Sequence, residues 1–152
     1  GIASTIDKIE KKKLKNILIY PKNIFTLIDE LKRNSIDKVF MLYPDPWPKK
    51  KHFKRRLISK IFLKRLHKIL KKNGMTLIST DSLSYLCAIF YEFSLNPNFE
   101  WANKDASDCY KRPLEMIKSK YERKADIEGN DKYFLKFKKI CWTITFKILD
   151  YR

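Results

Sequence analysis

Residues 43–56 read YPDPWPKKKHFKRR, and the reading of this stretch decides the fold. It follows an apolar run and places prolines at positions 44, 46 and 48. Each proline lacks a backbone N–H and fixes φ, so neither a helix nor a regular sheet ladder can continue through the segment. The chain must therefore end a strand near Tyr43-Pro44 and hold Asp45 and Trp47 in a stiff loop. Six of the next eight residues, 49–56, are Lys or Arg. A rigid carboxylate at a strand end thus faces a dense positive field.

Working outward, the run before the loop, DKVFMLYP at 37–44, is apolar at neighbouring positions. It reads as a strand covered on both faces, central in a parallel sheet. NILIYP at 16–21 reads as a shorter buried strand ended by Pro21, with an amphipathic helix before it through Ile2, Ile6, Ile9 and Leu14. Between the two strands, NIFTLIDELKR is a helix capped by Asn23. After the loop, Leu57 to Lys72 has a helical stripe of Leu57, Ile61, Leu66, Ile69 and Leu70, with Asn73-Gly74 as its stop. MTLIST at 75–80 is the next buried strand, and Asp81 or Ser82 caps a helix over 83–94 that Asn96-Pro97 breaks. The remainder is less regular, with FEWAN near 99–103, a polar loop and PLEMIKSKYERK from 113, before KYFLKFKK and ICWTITFKIL supply antiparallel strands. Strand–helix alternation followed by strands means an α/β sheet with an antiparallel edge. Ligands of such sheets sit at the carboxyl ends of the strands, where residues 43–56 and Thr80-Asp81 both fall.

Bulk properties narrow the classes. The 152 residues suffice for one domain with a real core. A 44% hydrophobic and 14% aromatic composition excludes a disordered chain. No apolar run approaches the ~18 residues of a membrane span, and no secretory signal pattern opens the sequence. The three cysteines, Cys87, Cys109 and Cys141, are odd in number and far apart, and two histidines make no zinc constellation. Free thiols in a reducing cytoplasm are the expectation, with no metal. The net charge of +17 fits a polyanionic partner. A lysine-rich genome accounts for scattered lysines but not for the adjacent Arg55-Arg56.

The residues of the loop each admit two readings. Asp45 between prolines is a turn residue or a fixed functional carboxylate. Trp47 is core or a face on which a base stacks. Lys49 to Arg56 is a solvated charge run or a phosphate contact; its place beside the crevice favours the second.

The motif YPDPWPKKKHFKRRL (43–57) resembles the signature of the tRNA (guanine-N7)-methyltransferases, bacterial enzymes that methylate a variable-loop guanine with S-adenosylmethionine. LKKNGMTLISTD (70–81) resembles that family's helix, glycine and strand ending in Thr-Asp. SKYERKADIEG (119–129) resembles its Thr-Lys-Phe-Glu element, and YFLKF (133–137) its last strand. Four elements in series are a specific signal covering roughly residues 1–138. The resemblance implies a class I, Rossmann-like methyltransferase sheet with an antiparallel C-terminal edge and with the first strands missing. It implies a single domain, of which residues 139–152 are a C-terminal extension. It places the catalytic aspartate at Asp45. Substrate contacts fall at Lys49, Asp81, Ser119, Lys120, Tyr121 and Glu122. RNA contacts fall at Lys51, His52, Lys54, Arg55 and Arg56, and cofactor contacts at Asp45 and Asn23. S-adenosylmethionine is the implied cofactor and tRNA the implied partner.

Two departures qualify the resemblance. The glycines are Gly1, Gly74 and Gly129, and none forms a glycine-rich loop after a strand, the family's main cofactor cradle. Lys22 stands where the family tends to be acidic. The expectation is a chain that starts after that cradle, with a partner chain supplying the first strands, or with the strands at 16–20 and 38–43 either paired directly or separated by a gap. A non-catalytic tRNA-binding remnant and a subunit of a split methyltransferase are the alternatives to an enzyme active by itself.

Overall fold

The computed structural model describes residues 2–140. The chain divides into two compact units, residues 1–31 and 32–152. In the first, α1 (Ile2–Lys11) is followed by α2 (Ile24–Glu30), with the Asn23 side chain accepting the Phe25 N–H at 2.9 Å as the helix cap. Residues 16–20 are not a strand. The sequence reading of NILIYP is corrected here, and the question of whether it pairs with residues 38–43 falls away. An apolar hexamer has no ladder to join unless a neighbouring edge offers one, and periodicity cannot supply that edge.

Among the described residues, the second unit holds a four-stranded sheet in the order β1-β2-β4-β3. Its strands are β1 (Ile36–Leu42), β2 (Leu70–Thr80), β3 (Phe99–Trp101) and β4 (Tyr133–Lys139). β1 runs parallel to β2, while β4 is antiparallel to both β2 and β3. The α/β class with a mixed sheet is as the sequence predicts. β1, however, is an edge strand rather than a central one. Phe40 and Leu42 pair across to Leu77 and Ser79, and both are exposed; Val39 and Met41 pair to Thr76 and Ile78 on the other face, where Met41 is buried. Continuous apolarity thus marked a strand correctly without fixing its place in the sheet.

That second face carries the larger helices. Ile78, Leu135 and Phe137 share it through the β2–β4 register. Phe93 of α4 (Leu83–Ser94) stacks flat on Phe137, with ring centres 3.7 Å apart. α3 (Lys60–Ile69) buries Phe62, Leu63, Leu66 and Ile69. On the opposite face Leu77 and Phe134 pack with Met116.

α3 is shorter than the predicted 57–72. Its last turn passes directly into β2, with Leu70 already extended. The Lys139 ammonium, almost fully buried, donates to the His67 and Leu70 carbonyls, both at 2.7 Å, and to Asn34 Oδ1 at 2.9 Å. Asn34 N–H and Ser35 N–H take the Lys68 and Ile69 carbonyls. The helix end is therefore satisfied by distant groups, not by a local glycine. Asn73-Gly74 instead shapes an irregularity in β2, where pairing jumps from Leu70 to Met75 while β1 advances only from Ile36 to Lys38. Asn73 takes a left-handed φ of 63°, which asparagine tolerates. A Cβ on Gly74 would meet the Lys71 carbonyl oxygen at 2.9 Å, so only glycine fits that approach. Of the predicted strand ICWTITFKIL, all but Ile140 lies outside the described residues.

Candidate RNA-facing site at the strand ends

β1 and β2 end together. Tyr43 N–H bonds the Ser79 carbonyl at 2.9 Å, one step beyond the Leu42–Ser79 pair, and then the chain turns away. Tyr43 and Trp47 both hold positive φ, 52° and 42°. Two bulky residues in that region are strained, and such strain collects where a loop is held in a functional shape. The loop frames an open cavity of about 300 Å³ lined by Tyr43, Pro44, Asp45, Trp47, Arg55 and Leu57. Asp45 is exposed at its rim.

The basic segment forms a 3₁₀ turn over Lys50–Arg55. Lys49, Lys51, Lys54 and Arg55 are exposed. Arg55 lies over the Trp47 ring, 4.9 Å from its centre, and the His52 ring is tilted against the same indole at 5.7 Å. The exposed Arg55 and the His52 ring thus lie against the Trp47 side chain.

Arg56 behaves differently from its neighbour. It is buried, its guanidinium 3.9 Å from the centre of the Phe53 ring and 5.0 Å from that of Tyr85. Its Nε donates to the Pro46 carbonyl at 2.8 Å, and its two terminal nitrogens donate to the carbonyl and hydroxyl of Ser84 at 3.4 and 3.2 Å. An arginine with its fork turned inward in this way is not placed to meet a phosphate. The sequence reading gave Arg56 an RNA contact; here its fork is engaged by Pro46 and Ser84.

A second group of residues arrives from α5 (Lys120–Glu128), on the connection that leads into β4. Ser119 caps the helix by accepting the Glu122 N–H at 3.1 Å. Its hydroxyl is therefore engaged within the element, where the sequence reading gave it a substrate contact. Glu122 is buried and paired with Arg112, Nε to Oε1 3.5 Å. Half-exposed Tyr121 stacks toward Tyr43 with ring centres 6.3 Å apart, and Lys120 lies 5.0 Å over the Tyr121 ring.

Tyr43 is where these elements meet. Burial pushes its phenol far above the ordinary tyrosine range, and the negative charges of Glu122 and Asp81 push it further. The ring therefore stays neutral, and its electrostatics record that the β1 end, the β2 end and α5 converge. Asp45 lies close enough to raise the Tyr85 phenol, which burial already raises. Asp45, Asp81, Tyr121 and Glu122 are thus gathered by the fold around one end of the sheet. Asn23 stands in the other unit as the cap of α2. The sequence reading missed two contributors, Tyr43 and Arg112. Tyr43 was visible as the residue opening the proline motif; Arg112 lies in a loop without periodicity and gave no signal.

This arrangement can grip a planar, polar group. Carboxylates accept from ring N–H donors, aromatic rings stack, and the basic turn offers a path for phosphates.

The chain is similar to known proteins. A family model described as "Putative methyltransferase" matches residues 1–135. A tRNA (guanine-N(7)-)-methyltransferase of Agrobacterium fabrum (strain C58) is 35% identical over 137 residues, 90% of this chain and 59% of that protein. The enzyme of the same name from Rhizobium etli is 38% identical over 126 residues, 83% of this chain and 55% of that protein. The chain spans a little under three fifths of the length of these two curated relatives. Among solved structures, an rRNA methylase from Streptococcus thermophilus superposes with a TM-score of 0.56 at 12% identity, covering 92% of this chain and 68% of that one. A SAM-dependent O-methyltransferase from Thermotoga maritima gives 0.50 at 14% identity, over 90% and 45%. These two likenesses concern the fold, a Rossmann-like methyltransferase sheet. With the family model matching nearly its whole described length, the chain belongs to that methyltransferase family.

Proposed function

We propose that this chain carries the base- and RNA-facing part of an S-adenosylmethionine-dependent tRNA (guanine-N7)-methyltransferase. The observation that carries the reading is the convergence of Asp45, Asp81 and Glu122 at the strand ends beside an exposed basic turn, in a chain whose curated relatives bear that name.

Guanine N7 has a lone pair and no proton, so its methylation needs no strong base. The site must hold the base still and accommodate the positive charge that develops on it. Asp45, exposed at the cavity rim, accepts from the guanine N1 and N2 donors and offsets that charge. Asp81 and Glu122 add to the negative field, Glu122 being held in place by Arg112. Tyr43 stays neutral and so adds no charge. A base reached for chemistry must leave its stack, and Tyr121 and Trp47 are the rings available to receive it. Lys49, Lys51, Lys54 and Arg55 hold the flanking phosphates, with the His52 ring against Trp47 beside them.

S-adenosylmethionine, when bound, supplies the electrophilic methyl group. The described residues fit only one side of its site. Asp45 and Asp81 stand at the strand ends where such a ligand sits. Gly74, however, lies inside β2 and Gly129 caps α5, so no described glycine forms a phosphate- or nucleoside-cradling turn after a strand. That placement favours a second reading: the described residues bind tRNA, and residues outside them complete the cofactor cradle.

Isothermal titration of S-adenosylmethionine and of tRNA, followed by a methylation assay, tests both. On the first reading Asp45→Ala lowers methyl transfer by about 100-fold or more while tRNA binding persists. Binding of tRNA without the cofactor supports the second. Failure to bind tRNA at all removes both.

A further inference from the structure

Arg55 and Arg56 are adjacent yet face opposite ways. Arg55 lies outside, on Trp47. Arg56 lies inside, and its acceptors belong to two different segments: Pro46, in the loop after β1, follows Asp45 by one residue, and Ser84, in the first turn of α4, follows Asp81 by three. The first of these segments has few other ties, whereas the first turn of α4 is capped by Ser82. Pro44, Pro46 and Pro48 have no N–H to donate, and Tyr43 and Trp47 sit at strained positive φ. Something must hold such a backbone in place.

The structure assigns that task to Arg56. We propose that it is a positioning residue that locks the Asp45–Trp47 loop to the first turn of α4, and that it makes no contact with RNA. Four features support this. The guanidinium is almost wholly removed from solvent, with 8% of the residue exposed. Three of its donors are used on neutral oxygens. Phe53 and Tyr85 flank it, so its rotamer is fixed by packing. Finally, the Tyr85 hydroxyl oxygen accepts the Ile58 N–H at 3.3 Å, which anchors the segment leaving Arg56 toward α3. A planar fork bonding two segments at once is a geometry that a lysine ammonium cannot reproduce. In naming Asp45 as the group being positioned, this inference rests on the proposed function; the loop-locking itself does not.

The experiment is NMR relaxation on the full chain, paired with the salt dependence of tRNA binding, for Arg56→Met, Arg56→Lys, Ser84→Ala and Arg55→Gln. With Arg56→Met, the order parameters of the Asp45 and Trp47 amides fall from the rigid range of about 0.85 to below about 0.6. The slope of log affinity against log salt is unchanged. Arg56→Lys does not restore the order. Ser84→Ala, which removes one hydroxyl and keeps the fold, gives a smaller drop at the same amides. Arg55→Gln does the reverse, leaving the loop rigid and lowering the slope by roughly 0.7 to 0.9, the value of one phosphate contact. Where methyl transfer is measurable, Arg56→Met lowers kcat and leaves the KM for tRNA unchanged. A rigid loop in Arg56→Met, or a slope reduced as in Arg55→Gln, overturns the proposal. If wild-type chain binds no tRNA, the functional reading fails while the relaxation data still decide the role of Arg56.

Discussion

Tyr43 shows how much one residue can report. Its hydroxyl is buried and has no hydrogen-bond partner among the described residues, while its backbone takes a positive φ that a bulky side chain avoids. A buried hydroxyl left without a partner costs about 1–3 kcal/mol relative to one that is satisfied. Tyr43→Phe removes that cost and keeps the ring against Tyr121. We therefore expect its melting temperature to rise by a few degrees over wild type; a fall would mean that the hydroxyl has a stabilising partner after all. At this scale the sequence was partly legible. Asp45, Asp81, Tyr121 and Glu122 could be named because short motifs fix their identity. What could not be read was direction. Nothing in the string Arg55-Arg56 says that one side chain turns outward onto Trp47 and the next inward onto Tyr85, because that depends on α4, nearly thirty residues away. Ser119 gave the same difficulty: a serine three residues before a glutamate is a helix-capping pair before it is a substrate contact.

Among the elements, the junction of α3 and β2 is the clearest case of distant residues deciding local structure. The sequence promised a helix to Lys72, stopped by glycine. The helix stops at Ile69 because Lys139, from the far end of β4, occupies its final carbonyls. Lys139→Met takes the ammonium from the Leu70 and His67 carbonyls and from Asn34 Oδ1 and should cost about 3 kcal/mol, lowering the melting temperature by roughly 10 °C. The neighbouring Lys138 forms a surface ion pair with Glu100 at 3.0 Å, with both side chains well exposed. Its replacement by Met should change stability by less than about 1 kcal/mol, since exposed pairs contribute little. Equal effects from the two substitutions would refute the helix-end account. Strand and helix identity was otherwise well marked: α4 spans 83–94 as its cap and its Asn96-Pro97 stop indicate, and β4 falls within the predicted KYFLKFKK. Residues 16–20 failed as a strand because apolarity alone cannot say whether an edge is waiting.

For the molecule as a whole, charge and protonation set the working range. The +17 excess makes tRNA association steeply salt-dependent if the functional reading holds. Acid should weaken the fold in two stages. Burial, and then the Lys139 ammonium, lower the His67 pKa from 6.5. A histidine that binds its proton less readily when folded contributes stability above pH 6.5 that is lost as pH falls further. The Asp126 carboxylate is lowered from 3.8 to about 2 by hydrogen bonds from Lys118 and Lys132. Its contribution is present above pH 3.8 and is lost as pH drops toward 2. Melting curves from pH 8 to pH 2 should show both declines, and His67→Gln should lack the first while keeping the second. A final consequence concerns length. The joint between α3 and β2 has no loop, so one residue added at Ile69-Leu70 would turn every later side chain of β2 to the opposite face. The bulge over residues 71–74 already holds surplus chain within the same strand. A peptide tag or a label grafted there would be absorbed as a larger bulge, whereas the same graft a few residues earlier would scramble the sheet.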